Sequence, residues 1–323
     1  MSLLPFLLFA LGLIFIIKGG DWFIDSASWI AKITGMPEVL IGATIVSLGT
    51  TFPELIVSAT SAIQGHTDMS IGNAIGSTIC NIGLILGVCN LISPSKINSR
   101  VFNIKALIMV FYTVIFLFMS RDGIIGKSDS TILIICLLIY IFINYLEVNI
   151  KTSSKKLSSR HADKHKFITV TRSDLATNVL KFVLGSGLVV FGARLLVDYG
   201  VIIASMLKVP DILISLTAIS LGTSLPELVT SISALLKGHR NLSVGNILGA
   251  NILNISMVLG VSSGFVPLYV PTQTIKLDVP FSLLLMLILT IPSIFSWKIT
   301  RAHAAVLLAL YGLYLAILAH WFI

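Results

Sequence analysis

The 323-residue chain is 56% hydrophobic and only 11% charged, against roughly 25% charged in soluble domains, and its mean hydropathy is +0.99. That balance excludes a water-soluble fold, and apolar runs of about 20 residues, the span of a bilayer core, recur along the whole length. The net charge of +8 fits the basic loops of a membrane protein, and no nucleic-acid partner is expected.

In chain order, hydropathy predicts ten transmembrane helices, at 3–30, 38–63, 70–92, 102–120, 131–149, 173–204, 210–236, 243–268, 277–296 and 303–322. The run from Leu3 to Ile17 has no basic residue before it and no small-residue cleavage site ahead of the next span, so it reads as a span rather than a signal peptide. Between the fifth and sixth helices lies the one strongly polar stretch, Lys151 to Lys166, which reads as a flexible linker. Cys80, Cys89 and Cys136 sit inside apolar runs without metal-ligand spacing and are expected to be buried and reduced.

The two halves are copies. At one offset of 173 residues, Leu48-Gly49-Thr50 falls on Leu221-Gly222-Thr223, and Pro53-Glu54-Leu55 falls on Pro226-Glu227-Leu228. Gly65-His66 falls on Gly238-His239, Gly72-Asn73 on Gly245-Asn246, and Asn81-Ile82 on Asn254-Ile255. Leucines match by composition; Pro-Glu, Gly-His and Gly-Asn do not. The organisation is therefore a first repeat at 1–150 with its motif at 42–88, a basic linker at 151–172, and a second repeat at 173–323 with its motif at 215–261.

Five spans per copy is an odd number, so the second copy enters the membrane in the opposite sense, the inverted repeat of secondary transporters. If the linker is cytoplasmic, so are the loops assigned Lys96, Arg100 and Lys105, then Lys237 and Arg240, then Lys298 and Arg301. The opposite loops hold only Arg121, Lys127, Lys208 and Lys276. The excess of basic residues on one side places both termini outside.

Each repeat carries one carboxylate deep in an apolar helix, Glu54 in LGTTFPELIVS and Glu227 in LGTSLPELVTS. A charge at mid-bilayer costs ~2.5–3.5 kcal/mol on insertion scales, and no Lys or Arg lies mid-span in the second, third, seventh or eighth helix. Pro53 and Pro226 cannot donate to the carbonyl four residues back, which predicts helix breaks near Gly49 and Gly222 and free carbonyls at Ser47 and Ser220. Thr50 and Glu54 share a helix face, as do Thr223 and Glu227. Asn73, Ser77 and Asn81 form a stripe on the third helix, partly repeated by Asn246 and Asn254 on the eighth. Asn81 and Asn254 read as ligands, while Asn73 and Asn246 read equally well as interhelical glue. These are hard oxygen donors, suited to Na⁺ and Ca²⁺. Lys18, Asp21, Asp25, Arg194 and Asp198, near the ends of the first and sixth helices, read as snorkelling or locally paired.

With GTTFPE and GNAIGSTICNIG in one half, and GTSLPE and GNILGANILNIS in the other, the chain resembles the cation/calcium exchanger superfamily, on its Na⁺/Ca²⁺ exchanger branch and of prokaryotic type. The resemblance implies an all-α polytopic fold of ten transmembrane helices in two inverted five-helix repeats. Its cation sites would lie near the midplane between the second, third, seventh and eighth helices. Carried over by position, the ligands are Glu54 and Glu227, with Thr50, Thr51, Ser77 and Asn81, Thr223 and Ser224, and the carbonyls of Ser47 and Ser220. Ala250 stands where a serine is common and Asn254 where some members have aspartate, so the site keeps two carboxylates rather than three.

The expected function is antiport of Na⁺ against Ca²⁺ by alternating access in the plasma membrane, by a monomer that needs no cofactor beyond the transported ions. A proton/calcium antiporter using the same glutamates is the alternative, and a cation channel a more remote one. No HExxH motif, Ser/His pairing within spans or paired intramembrane aspartates supports an enzyme.

Overall fold

A computed structural model of the chain describes residues 3–96, 100–158, 171–206, 222 and 224–321. Within them the spans are α1 (Leu4–Thr34), α2 (Glu38–Ile63), α3 (Thr67–Ile92), α4 (Arg100–Met119) and α5 (Lys127–Ser158) in the first half. The second half holds α6 (Arg172–Met206), α7 (Leu225–Leu236), α8 (Arg240–Phe265), α9 (Thr274–Phe295) and α10 (Arg301–Trp321). The first part of the expected seventh helix lies outside the described residues. Lys151–Ser158 prolongs α5, so the segment read as a flexible linker begins as helix.

Inversion of the repeats is visible in four two-residue strands: β1 (Ser95–Lys96), β2 (Ile124–Ile125), β3 (Leu268–Tyr269) and β4 (Lys298–Ile299). By the sequence offset β1 is the counterpart of β3, and β2 is the counterpart of β4 within a residue. Yet β1 pairs with β4 and β2 with β3, both antiparallel. Equivalent loops therefore sit at opposite ends of the helices, each beside a non-equivalent loop of the other half.

Helices α1 and α6 cross the same way. A Cβ on Gly12 would lie 3.0 Å from the Gly192 carbonyl oxygen, and one on Gly19 would lie 2.8 Å from that of Gly185. Gly12 and Gly185 are sequence mates, as are Gly19 and Gly192. The small residues let these two helices touch backbone to backbone. The turns after α2 and α7 use glycine for its freedom at positive φ, with Gly65 at 91° and Gly238 at 82°.

Burial identifies the core. The apolar stretch is 22% buried in α5, α6 and α10, but 56% in α2, 72% in α3 and 94% in α8. The outward faces of the peripheral helices carry large apolar residues such as Leu138, Phe142 and Phe191, as lipid-facing surfaces do.

Three charged residues are placed or paired otherwise than expected. Lys105 is on α4 rather than in a loop, fully buried, with Nζ 2.9 Å from Glu147 of α5 and over the Tyr140 ring. Asp21 and Asp25 pair not locally but with Lys237 at the end of α7, at 3.1 and 2.7 Å. In both cases the partner is too far along the chain for helix-spacing rules to reveal.

Candidate ion-binding site

The site is built where α2, α3, α7 and α8 meet. Helices α2 and α8 approach through glycine: a Cβ on Gly42 would lie 2.3 Å from the Leu242 carbonyl oxygen, and one on Gly245 would lie 2.3 Å from that of Val39. Gly249 fits against Ala43 and the Ser47 hydroxyl.

The expected helix break at Gly49 is absent, since α2 is helical through Gly49 and Pro53. One proline removes one backbone bond and bends a packed helix rather than interrupting it. The irregularity comes a turn earlier, as a π-helical turn at Gly42–Val46. In the second repeat the helix starts afresh at Leu225, with Ser224 at its N-cap position and Pro226 in the first turn. Two more π-helical segments, Asn81–Leu86 in α3 and Asn254–Leu259 in α8, obey the repeat offset. Each begins at an asparagine read as a ligand. π-Turns cluster at functional sites, and nothing in composition or periodicity marks them beforehand.

Glu54 and Glu227 are each 1% exposed, and their carboxyl groups are close enough to interact with each other. Among the described residues none of their four oxygens has a hydrogen-bond partner, and neither group forms an ion pair. Thr51 Oγ1, Ser224 Oγ, Asn81 Oδ1 and Asn254 Oδ1 are likewise buried and unpartnered. These six residues form three pairs at the repeat offset. The Cys80 thiol, one residue before Asn81, lies against Ser224 and within electrostatic range of both glutamates, which ties α3 to the carboxylates.

Buried polar groups ordinarily have partners, and an unpaired buried charge is costly. Single buried hydroxyl and amide oxygens elsewhere also lack partners, those of Ser282, Thr290 and Asn144 among them, but the other carboxylates deep in the spans are engaged. Asp278, buried on α9, accepts from Gln273, Thr274 and Tyr314, and Glu147 has Lys105. A concentration of unpaired hard oxygens around two carboxylates is complementary to a cation.

Other expected residues hold the helices together. Asn73 Nδ2 donates to Ser58 Oγ at 2.9 Å and approaches the Glu54 carbonyl. Asn246 Nδ2 donates to Thr230 Oγ1 at 3.2 Å, and Asn246 Oδ1 lies 3.3 Å from Thr50 Oγ1. Glue is thus the role these contacts give Asn73 and Asn246. The Ser47 carbonyl lies 3.3 Å from Thr50 Oγ1, and Ser47 and Ser77 are both buried in the core. Ser220 and Thr223 lie outside the described residues. Gly49 and Thr50 of α2, Pro226 and Thr230 of α7, and Phe23 and Ser186 of α1 and α6 line a narrow crevice beside the site. Thr230 and Asn251 are buried polar residues of this region that sequence reading passed over. Thr230 sits on the Glu227 face of α7 at helical spacing, a usable signal; Asn251 is matched by Thr78 in the other repeat and carries none.

The family model for sodium/calcium exchanger proteins matches residues 4–150 and 177–319. The sodium/calcium exchanger MaX1 of Methanosarcina acetivorans is 32% identical over 97% of this chain and 98% of its own length. The inner membrane protein YrbG of Escherichia coli is 34% identical over 82% of this chain and 81% of its own. The solved structure of the sodium-calcium exchanger NCX_Mj, soaked with 10 mM Na⁺ and no Ca²⁺, matches with a TM-score of 0.84 at 30% identity, covering 98% of this chain and 99% of that one. The all-α architecture of ten transmembrane helices in two inverted repeats is the fold of this group, whose members are transporters rather than enzymes. This multi-pass membrane protein belongs to the sodium/calcium exchanger family.

Proposed function

We propose that the chain exchanges Na⁺ for Ca²⁺ by alternating access, at a site whose charged ligands are Glu54 and Glu227. The observation that carries this reading is the set of unpaired, buried oxygens on those glutamates, Thr51, Ser224, Asn81 and Asn254. Two carboxylates balance one Ca²⁺, and Na⁺ competes for the same oxygens, so occupancy by one ion releases the other. Thr50, Ser77 and the Ser47 carbonyl, with Thr223 and the Ser220 carbonyl from the second repeat, complete the proposed ligand set. All of these belong to one chain, and the monomer is taken as the functional unit. The repeats at 1–150 and 173–323 supply the two halves of the site, joined by the 151–172 linker.

Coupling to Na⁺ without K⁺ rests on Asn254, whose amide offers an oxygen but no third charge. In proteoliposomes, Ca²⁺ uptake driven by an outward Na⁺ gradient is expected to stay within about twofold when K⁺ is replaced by choline. Uptake driven equally well by a proton gradient without Na⁺ would establish the proton antiporter instead. Asn254→Asp is expected to alter ion dependence and pH profile; no change in either removes Asn254 from the ligand set.

The proposed setting is the plasma membrane, with the linker cytoplasmic and both termini outside. Burial of Lys105 takes one residue from the basic count of the inner loops, and those at 96, 100, 237, 240, 298 and 301 keep the asymmetry. A cysteine introduced at Ser159 should resist an impermeant thiol reagent in intact cells and react after permeabilisation. The three native cysteines are buried and give little background. Labelling in intact cells would reverse the orientation.

A further inference from the structure

We infer that Asn251 is a positioning residue that sets which end of the Asn81 amide faces the ions; the inference rests on the site proposed above. Asn81 of α3 and Asn251 of α8 are both fully buried, and Asn81 Nδ2 donates to Asn251 Oδ1 at 3.0 Å. An amide pair of this kind has two orientations, and only the surrounding partners choose between them. Here the choice is made by Met109 of α4. Its Sδ lies 3.7 Å from Asn251 Nδ2, and a thioether accepts hydrogen bonds but cannot donate them.

The N–H of Asn251 therefore points to Met109, and its Oδ1 points to Asn81. Asn81 must meet that oxygen with its own NH₂ group. Its Oδ1 is left buried and unpartnered, a hard oxygen of the kind Na⁺ and Ca²⁺ bind. A turned amide would present two N–H donors to a cation. One ligand's polarity is thus set through two side chains reaching outward to α4.

The device exists in one repeat only. The counterpart of Asn251 is Thr78, whose hydroxyl donates to the Ala74 carbonyl of its own helix at 2.9 Å. Among the described residues no hydrogen bond joins Thr78 to Asn254 as one joins Asn251 to Asn81, and the two ligand asparagines, equivalent in sequence, are held differently.

The test is Na⁺-gradient-driven Ca²⁺ uptake by purified protein in proteoliposomes, with KM for Ca²⁺ and maximal rate measured separately. Losing an outer partner of a ligand typically costs 10–100-fold in metal affinity. Asn251→Ala is expected to raise KM at least about tenfold with a smaller change in maximal rate. Asn251→Thr is the companion. Threonine is native at the matching position, and there it bonds to its own helix, so this variant is expected to fold and to show the same KM defect. In an Asn81→Ala background neither substitution should raise KM further, because no amide remains to be oriented. A wild-type KM in Asn251→Thr, an unaltered KM in Asn81→Ala, or an undiminished further loss in the double variant would each overturn the positioning role. Those outcomes are separable from failure of the site itself, which is read from Glu54→Gln. If that variant transports normally, the site is wrong; if it is inactive while Asn251→Thr is normal, only the positioning role falls.

Discussion

Replacing Glu54 or Glu227 by glutamine is expected to lower Ca²⁺ transport more than about 100-fold, the scale of the ~3–5 kcal/mol lost when a buried charge pair is broken. Each carboxylate supplies one of the two charges that balance Ca²⁺, and glutamine keeps the shape while removing the charge. The protein itself should remain folded, because neither carboxylate is in an ion pair that the change would break among the described residues, and neutral glutamine removes the repulsion between two buried acids. Thermal unfolding in detergent separates binding from transport. Ca²⁺ at 100 times its dissociation constant stabilises a binding-competent protein by about 2.7 kcal/mol. Wild type should show that shift and both glutamine variants should lack it, while their unfolding without Ca²⁺ stays at or above the wild-type temperature. Wild-type transport should also fall as the pH is lowered, since protons compete with metal for the same oxygens. Near-normal flux in either variant would refute the assignment.

Gly42→Ala and Gly245→Ala are expected to have the largest structural effect. Each added methyl would meet a backbone carbonyl of the opposing helix at 2.3 Å, where no side chain can move aside. Overpacking typically costs ~1–3 kcal/mol, and the rigid neighbour puts these two at the upper end or beyond. The outcome should be poor recovery of monodisperse protein and a lower unfolding temperature. Transport should fall too, because the same crossing sets Asn246 against Thr50. Gly187→Ala is the control: Gly187 is exposed on α6 with nothing within 4 Å of its added methyl. That change should be neutral or slightly stabilising, as alanine favours helix over glycine by ~0.8–1.0 kcal/mol. Equal behaviour of all three variants would remove the close crossing as a determinant of stability.

Much of this organisation is legible in the sequence because the duplication is chemical as well as apolar. Pro53-Glu54 and Pro226-Glu227 identify the intramembrane charges, and an odd number of spans per copy implies the inversion that the exchanged strands display. Contacts between distant segments are less accessible. Lys105, counted with the loop although it falls at the edge of the predicted 102–120 span, is seen to be a buried charge only with Glu147 beside it, and Asp21 and Asp25 find Lys237 only in three dimensions. The proline rule predicts an interruption at Gly49, where the helix continues through Pro53 and the irregularity is a π-turn a few residues earlier. Asn251 escapes notice for a different reason. Repeat comparison highlights what the halves share, and this residue acts where they differ.

The exchanged strand pairs also bear on biosynthesis. Ser95 pairs with Ile299, about 200 residues later, and at ~5–20 residues per second of synthesis that partner arrives roughly 10–40 s after it. Until then the first half has no mate for β1 or β2, and the inner faces of α2 and α3 have no α8 to cover them. A nascent chain halted after its linker is therefore an unfinished object rather than a small transporter, one exposed to proteolysis or to capture by another copy's second half. Two separately translated halves would have to meet in the bilayer before either became stable.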